Sequence, residues 1–138
     1  MREVLSYSVY PMLMGNVKSS RRLARRLFWR LGLRSSIFDV QSSRELDLMI
    51  SSVFSPLPDT SDDEFIILGL ERFASERDDM TCLLVPCSKG FEDFTERNRQ
   101  RLELRFIIRS CREVEDALRS ESKMPYERKG ILKDEADS

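Results

Sequence analysis

YPMLMGNVKSSRRLARRLFWRLGLRSSIFDV, residues 10–40, decides the fold prediction. An apolar run ends at a Gly-Asn pair, an arginine-rich segment follows, and a second apolar run begins after Gly32. In the middle segment, Leu23 and Leu27 fall on one arc of a helical wheel and most of the arginines fall on the opposite arc, as in a helix that packs on a sheet. The stretch therefore predicts a strand, a turn, a helix that ends just before Gly32, and a second strand.

The same alternation of short apolar runs and helix-like segments continues to about residue 120. Short connections between alternating strands and helices favour a mostly parallel sheet with helices on both faces. We therefore expect one α/β domain over residues 1–120, a doubly wound, Rossmann-like sheet of four to five strands whose order the spacing does not determine. Residues 121–138 read as a polar tail or the start of a linker. The predicted strands are 7–14, 36–40, 50–54, 81–85 and 104–108, and the predicted helices are 20–31, 42–49, 62–77, 89–101 and 112–120.

The composition excludes several classes of protein. At 138 residues the chain is long enough for one domain with a core, and no apolar run approaches the roughly 18 residues that span a bilayer. It contains no histidine, which removes the most common general base and most catalytic zinc sites. Its three cysteines, Cys82, Cys87 and Cys111, lack C-x-x-C spacing and read as free thiols in a reducing cytoplasm. We expect a cytoplasmic protein without a metal site, a catalytic residue or a membrane segment.

Positive charge is concentrated in the first predicted helix. Residues 1–34 contain eight Lys or Arg and one acidic residue, although the net charge of the whole chain is −1. Arg22, Arg25 and Arg26 lie on the polar arc with Trp29, and Trp and Arg together are typical of a protein interface. A pI of about 5.7 disfavours nucleic acid. Trp29 therefore contacts another domain or subunit, a second copy of the chain included, or it lies over arginine stems or a neighbouring loop.

The turn after the first strand is a candidate anion site. Gly15, Asn16, Lys18 and Ser19 bring backbone N–H groups, a helix N-terminus and a lysine together. However, one glycine matches neither the G-x-G-x-x-G fingerprint nor the G-K-[ST] motif, so an ordinary strand-to-helix turn is the competing interpretation. Asp39 ends the second strand at the position of a ribose-binding acid, but without the glycine fingerprint it is weak evidence for a nucleotide.

Two further groups of residues resemble sites and have simpler explanations. Asp62, Asp63 and Glu64 look like a metal cluster, but acids are also favoured at a helix N-terminus, where the pattern places them. Ser88 follows a strand and can cap the next helix, while Cys87 beside it has no base to activate it. We expect capping at both places. Ser88 is also a candidate ligand contact, because it lies where parallel sheets bind ligands.

Three segments also carry a family resemblance through their order and spacing. The first segment, LMGNVKSSRRLARRLFWRLGLRSSIFDV (13–40), combines a strand, a glycine turn, a helix and a strand. The second, residues 62–108, contains in order a helix, a strand, a helix with paired aromatics, an N-R-x-x-L sequence and a strand. REVEDALRSESK (112–123) is the weakest, with Lys123 near the entry to a further domain. Together they resemble the N-terminal, pre-ATP-grasp domain of bacterial ATP-grasp carboxylate–amine ligases, the group that includes D-aspartate ligase-like proteins. The chain departs from the family where Gly15-Asn16 replaces two glycines and an acid.

The resemblance implies a domain that flanks the substrate cleft of an ATP-dependent ligase. Its ligand contacts would come from the turns at Gly15, Asn16, Lys18, Ser19 and Ser88. Such ligases activate a carboxylate as an acyl phosphate, which an amine then attacks, and they use ATP and Mg²⁺ held by an ATP-grasp domain. The residues that grip phosphate and metal in that domain would lie beyond the end of this chain.

We therefore expect no ligase activity and no cofactor in this chain alone. It would be a domain fragment, a truncated reading frame, or a subunit that works with an ATP-grasp domain in cis or in trans. Two alternatives stay open. One is a stand-alone α/β protein-interaction or regulatory module that uses the surface around Trp29, and the other is a small nucleotide-binding Rossmann-like domain.

Overall fold

The structure, a computed structural model, describes residues 8–121. These residues form an all-parallel, five-stranded sheet in the order β3-β2-β1-β4-β5, with helices on both faces. The predicted doubly wound, Rossmann-like α/β fold is confirmed. The predicted tail lies outside the described residues, apart from Glu121 at its start. The strands are β1 Val9–Met14, β2 Ser35–Asp39, β3 Ser52–Pro56, β4 Thr81–Pro86 and β5 Ile107–Ile108, and the helices are α1 Lys18–Leu31, α2 Arg44–Asp47, α3 Asp63–Ser75, α4 Lys89–Arg97, α5 Arg99–Leu102 and α6 Cys111–Glu121.

Strand β1 lies at the centre of the sheet and is buried on both faces. It pairs with β2 on one side and with β4 on the other. Met12, Leu13 and Met14 are fully buried, as expected for a continuous apolar run in a parallel sheet. Successive side chains point to opposite faces, so Met12 and Met14 enter one core cluster and Leu13 enters the other.

The two core clusters define two layers of different composition. We call the first the aromatic layer, because Phe38, Phe94 and Phe106 are buried in it and Tyr10 and Phe73 pack against it. It contains residues of α3, α4 and α5. We call the second the aliphatic layer, which is built from α1, α2 and α6. Its buried members are Val9, Leu13, Leu23, Ala24, Leu27, Leu33, Ile37, Leu46, Leu83, Val85, Val114 and Leu118.

Helix α1 packs on the sheet through the predicted apolar arc and ends where the sequence indicates. Leu23 and Leu27 are fully buried. Gly32 adopts a left-handed φ of 70°, and its N–H donates to the Phe28 carbonyl at 2.9 Å. The bond from Gly32 is the 5→1 bond of an αL C-cap, and the Leu33 N–H reaches further back, to the Leu27 carbonyl at 3.2 Å.

The N-caps of α1 and α3 are residues other than the neighbouring serines. The cap of α1 is Val17, and neither Ser19 nor Ser20 occupies that position. Ser20 lies in the first turn of the helix, and its hydroxyl bonds to residues that precede it. It accepts from the Val17 N–H at 3.1 Å and donates to the Gly15 carbonyl at 2.6 Å. At α3 the cap is Asp62, whose carboxylate accepts from the Glu64 N–H at 3.0 Å. At each of these two helix starts, a side-chain hydroxyl or carboxylate therefore accepts a hydrogen bond from a nearby backbone N–H.

The predicted helix at 89–101 is interrupted at Asn98. Its side-chain amide donates to the Phe94 carbonyl at 2.9 Å, and so competes with the backbone for the helical acceptor. The chain then forms the separate short helix α5. The predicted strand at 104–108 shrinks to Ile107–Ile108, because the Phe106 N–H still bonds to the Leu102 carbonyl at 2.8 Å and Leu104 stays exposed. Strand β3 begins two residues later than predicted.

Candidate functional site

The sheet order places a topological switch point between β1 and β4. The chain passes from β1 to β2 and β3 on one side, then crosses to β4 and β5 on the other. Helix α1, which follows β1, packs in the aliphatic layer, whereas α4, which follows β4, packs in the aromatic layer. Two loops thus leave neighbouring strands toward opposite faces. In open α/β sheets, ligands bind at the carboxyl ends of the strands at such a point.

The two loops at the switch point are in direct contact. Gly15 has a φ of 107°, and a side chain there would lie 3.1 Å from the Ser88 Oγ atom. The Cys87 N–H donates to the Met14 carbonyl at 2.9 Å, and the Ser19 hydroxyl donates to the Cys87 carbonyl at 3.3 Å. Three of the predicted ligand residues, Gly15, Ser19 and Ser88, are therefore brought together by the fold.

The N–H groups of the β1–α1 turn are already occupied. The Gly15 N–H donates to the Phe38 carbonyl at 2.8 Å, and the Asn16 N–H donates to the Asp39 carboxylate at 2.7 Å. The Val17 N–H is used by Ser20. Because a protein carboxylate fills the place of an external anion, the predicted phosphate-type turn is closed by the chain itself. The role of Asp39 is to hold this turn.

The remaining residues of the predicted anion site have separate surroundings. Lys18 is exposed to solvent at the start of α1. The Asn16 Oδ1 atom accepts a hydrogen bond from the Arg21 guanidinium at 2.8 Å, so this side chain is engaged within its own loop and helix. Ser88 is the N-cap of α4, as predicted, with its hydroxyl accepting from the Phe91 N–H at 3.5 Å.

An apolar cavity of about 340 Å³ opens on the aromatic side of the switch point. It lies between α3, α4 and the loops that follow β2 and β3. Its walls are largely hydrocarbon, and Ser88 and Thr60 supply hydroxyl groups. This size and lining are typical of a site for a small ligand. The apolar wall is formed by Val40, Leu57, Pro58, Ile66, Phe91 and Phe94.

One rim of the apolar cavity is fixed by ion pairs between α3 and α4. Arg97 donates two hydrogen bonds of 3.0 Å to the Asp63 carboxylate, and Asn98 donates a third at 2.8 Å. The hydrogen bond from Arg97, followed by that from Asn98, lowers the pKa of Asp63. Glu64 accepts from Arg101 at 2.7 Å. The acids at the start of α3 therefore cap the helix and join it to its neighbours.

A polar cleft of about 650 Å³ opens on the aliphatic side, between α1 and α6. Its centre is Glu115, which is buried and accepts a hydrogen bond from Arg26, with Arg22 at 3.6 Å. The Arg30 guanidinium donates to the Leu118 carbonyl at 3.2 Å. Part of the arginine face of α1 is therefore covered by α6.

Two cysteines line the same cleft at the carboxyl ends of β4 and β5. The Cys87 thiol donates to the Val85 carbonyl at 3.5 Å and lies beside the side chain of Cys111, the first residue of α6. The neighbouring thiol is the largest influence on each pKa: it lowers the pKa of Cys111 and, together with burial, raises that of Cys87. Nothing in the spacing of the two cysteines along the chain indicates that they lie in the same cleft.

The surface predicted around Trp29 is divided by the structure. Trp29 is 70% exposed, and its ring meets Phe28 edge-on at 5.0 Å between centroids. Arg25 lies on the exposed side and reaches the Met49 sulfur at 3.7 Å. Arg22 and Arg26 instead turn toward α6. Trp29, Arg25 and the 52% exposed side chain of Arg22 therefore lie on the open surface, whereas Arg26 is partly covered by α6.

Comparison with known proteins does not assign a family, since no family model, curated protein or solved structure matches the chain. In the part of the chain that the structure describes, no helix is long and apolar enough to cross a bilayer. Across residues 8–121, no three His, Cys, Asp or Glu side chains come together as a metal site would require. Residue geometry is therefore the basis for proposing a function.

Proposed function

We propose that this chain is a ligand-contacting domain of an ATP-grasp-type carboxylate–amine ligase, and that its contact with substrate is made at the apolar cavity beside Ser88. The supporting observation is the position of that cavity. It lies at the carboxyl edge of a parallel sheet, next to the switch point between β1 and β4, where the general rule for open α/β sheets expects a ligand. ATP and Mg²⁺ would be bound by a separate ATP-grasp domain.

The occupied β1–α1 turn favours this proposal over a nucleotide-binding domain. A dinucleotide fold uses the free N–H groups of this turn to bind a pyrophosphate. Here the Asp39 carboxylate accepts from the Asn16 N–H at 2.7 Å, so a phosphate would meet a negative charge. A ligand at the neighbouring cavity would instead contact hydrocarbon and a hydroxyl, which suits the carbon skeleton of a small substrate better than its phosphate.

The decisive experiment joins this chain to an ATP-grasp region encoded directly after it or beside it. ADP release would be measured with a panel of carboxylates and amines. We expect release that requires both the chain and one carboxylate–amine pair. If the neighbouring sequence has no ATP-grasp features, or if the chain alone binds ATP or NAD with micromolar affinity in calorimetry, the proposal is wrong.

A matched pair of glycine substitutions tests the cavity itself. Gly90 and Gly69 are both exposed helical glycines, and a side chain at either position meets nothing within 4 Å. Gly90 lines the cavity and Gly69 does not. We expect Gly90→Leu to raise the KM of one substrate by about tenfold, the usual effect of reshaping an apolar pocket, and Gly69→Leu to leave it unchanged. Equal KM values for the two variants would remove the cavity from the proposal.

Exposed Trp29 favours a second candidate, a protein-interaction module. Trp29 is the one tryptophan of the chain and is 70% exposed beside Arg25. We expect the monomer to show the red-shifted emission of a solvated indole and efficient quenching by iodide. A strongly blue-shifted spectrum in a proven monomer would mean that Trp29 is buried within the domain, and the interaction surface would be lost.

A further inference from the structure

Two thiols from different elements meet in the polar cleft. Cys87 lies in the loop between β4 and α4, and Cys111 begins α6. They come together because β4 and β5 are neighbouring parallel strands, so the residues that follow them emerge at the same edge of the sheet. Both side chains line the cleft, which is large enough to admit water and small oxidants.

The surroundings of the two sulfur atoms differ. Cys111 lies beside the Cys87 thiol, the positive charge of Arg22 and the Ser19 hydroxyl, all of which favour its ionisation, although burial and Glu115 oppose it. These contacts together lower the pKa of Cys111, and the position at the start of a helix acts in the same direction.

Cys87 faces a different set of charges. Its side chain is more enclosed, and Glu115 and Glu92 both disfavour a negative charge on it. Its pKa is therefore raised, first by the neighbouring Cys111 side chain and then by burial. Ionisation is thus favoured at Cys111 and disfavoured at Cys87.

We propose that Cys111 and Cys87 form a peroxide-oxidisable dithiol, in which Cys111 reacts first and Cys87 then closes a disulfide between the β4–α4 loop and α6. The oxidant class is a peroxide, with hydrogen peroxide as the simplest member. This chemistry is independent of the ligase proposal, because it uses the polar cleft on the aliphatic side and needs no substrate.

The reaction proceeds in two balanced steps. The Cys111 thiolate attacks one oxygen of hydrogen peroxide, so an S–O bond forms, the O–O bond breaks, and the departing hydroxide takes a proton to become water. The Cys87 sulfur then attacks the Cys111 sulfenic acid. An S–S bond forms, the S–O bond breaks, and the leaving hydroxide takes the Cys87 proton as a second water. The two cysteine sulfurs are oxidised by two electrons and the peroxide is reduced by two.

Cys82 provides an internal control for this chemistry. It lies within β4, is buried in the aromatic layer, and has a pKa raised by that burial. A buried, protonated thiol is a poor nucleophile. Cys82 should therefore stay reduced under conditions that oxidise the other two cysteines.

The first experiment treats the intact 138-residue chain with hydrogen peroxide and maps its peptides by mass spectrometry. We expect the mass to fall by two hydrogens, one cross-linked pair that contains Cys87 and Cys111, and an unmodified Cys82. Phenylarsine oxide, which bridges adjacent thiols, should bind once and protect the same two residues. A cross-link to Cys82, or sulfinic acid at Cys111 without a disulfide, would overturn the proposal.

Two substitutions of Cys87 separate its two roles. Cys87→Ser keeps a hydrogen-bond donor but removes the resolving sulfur, so Cys111 should react with peroxide at a rate within about twofold of the unaltered chain and accumulate as sulfenic acid that dimedone traps. Cys87→Ala removes the donor as well, and we expect Cys111 to react on the order of tenfold more slowly at neutral pH, as a pKa rise of about one unit would cause.

The control is Cys82→Ala, which should form the disulfide at an unchanged rate. Thermal unfolding of each variant would show whether the fold is kept. The proposal fails if Cys87→Ser and Cys87→Ala react at the same rate as each other and as the unaltered chain, or if dimedone traps no sulfenic acid at Cys111 in Cys87→Ser.

Discussion

The aromatic and aliphatic layers cover opposite faces of one sheet. Each layer has a cavity near the carboxyl ends of the strands, and the two cavities differ in chemistry. On the aromatic side, the phenylalanines of α4 and an ion-paired rim enclose a largely hydrocarbon cavity. On the aliphatic side, α1 and α6 leave a cleft lined by arginines, acids and two thiols. A parallel sheet presents all its strand ends at one edge, so the packing of each layer decides what the loops there can contact.

Removal of one core leucine from each layer gives the largest expected effect. Leu27 in the aliphatic layer and Leu70 in the aromatic layer are both fully buried. Each Leu→Ala change should lower the free energy of unfolding by about 2–5 kcal/mol, because it removes apolar contacts and leaves a cavity. Leu104→Ala, at an 86% exposed residue, should change it by less than about 0.5 kcal/mol.

Urea unfolding followed by both far-UV and near-UV circular dichroism would measure these effects. The layers share the sheet, so we expect one transition that both signals report together. If the two signals instead gave different transitions in either leucine variant, the two layers would unfold independently, as two cooperative units.

The junction between the layers is tested at Gly15. Gly15→Ala should cost about 2–3 kcal/mol, because its φ of 107° suits only glycine and the new Cβ would lie 3.1 Å from the Ser88 Oγ atom. Gly32→Ala is the matched control, since its φ is also positive but nothing lies within 4 Å, and we expect about 1 kcal/mol. Equal losses in chemical denaturation would show that the contact with Ser88 contributes nothing.

On the aliphatic side, buried Glu115 should matter more than its exposed neighbour. Glu115→Gln removes the charge that Arg26 and Arg22 face, and we expect a loss of about 1–2 kcal/mol. Asp116→Asn removes an exposed pairing with Arg119 on the same helix, for which we expect less than about 0.5 kcal/mol. A larger effect at Asp116 would contradict the burial of the cleft.

On the aromatic side, the Asp63 carboxylate should give a small dependence of stability on pH. Arg97 and Asn98 lower its pKa in the folded chain, so its contribution is present above the unfolded pKa of about 4 and is lost as the pH falls through the folded pKa. Asp63→Asn should therefore make the curve of unfolding free energy against pH shallower between about pH 5 and pH 2, as measured by urea titration. An unchanged slope would show that the pairing contributes no stability.

The helices with a strong local pattern were predictable from the sequence. The apolar arc and the Gly32 stop fixed α1, because amphipathic spacing and a left-handed glycine act within one element. The length of strand β5 was overestimated. Leu104 and Phe106 are typical strand residues, but in the structure backbone hydrogen bonds to α5 continue the helical turn through Phe106. Local apolar composition cannot distinguish these two outcomes.

The candidate sites depended on contacts that only the fold creates. Cys87 and Cys111 meet because β4 and β5 are neighbours, and the pairing of Arg26 with Glu115 exists because α1 and α6 share a face. Strand order determines both contacts, and spacing along the chain does not reveal strand order. The contact between Gly15 and Ser88 could be anticipated only in part, from the rule that strand ends meet at one edge.

The Asp39 carboxylate gives the β1–α1 turn a tethered ligand. Asp39 is held on the adjacent strand β2, so its effective concentration at the Asn16 N–H is about millimolar or above. A free anion would need a similar concentration to compete. A dissolved phosphate or carboxylate must therefore compete with an intramolecular rival. An anion could bind this turn only by displacing the Asp39 carboxylate.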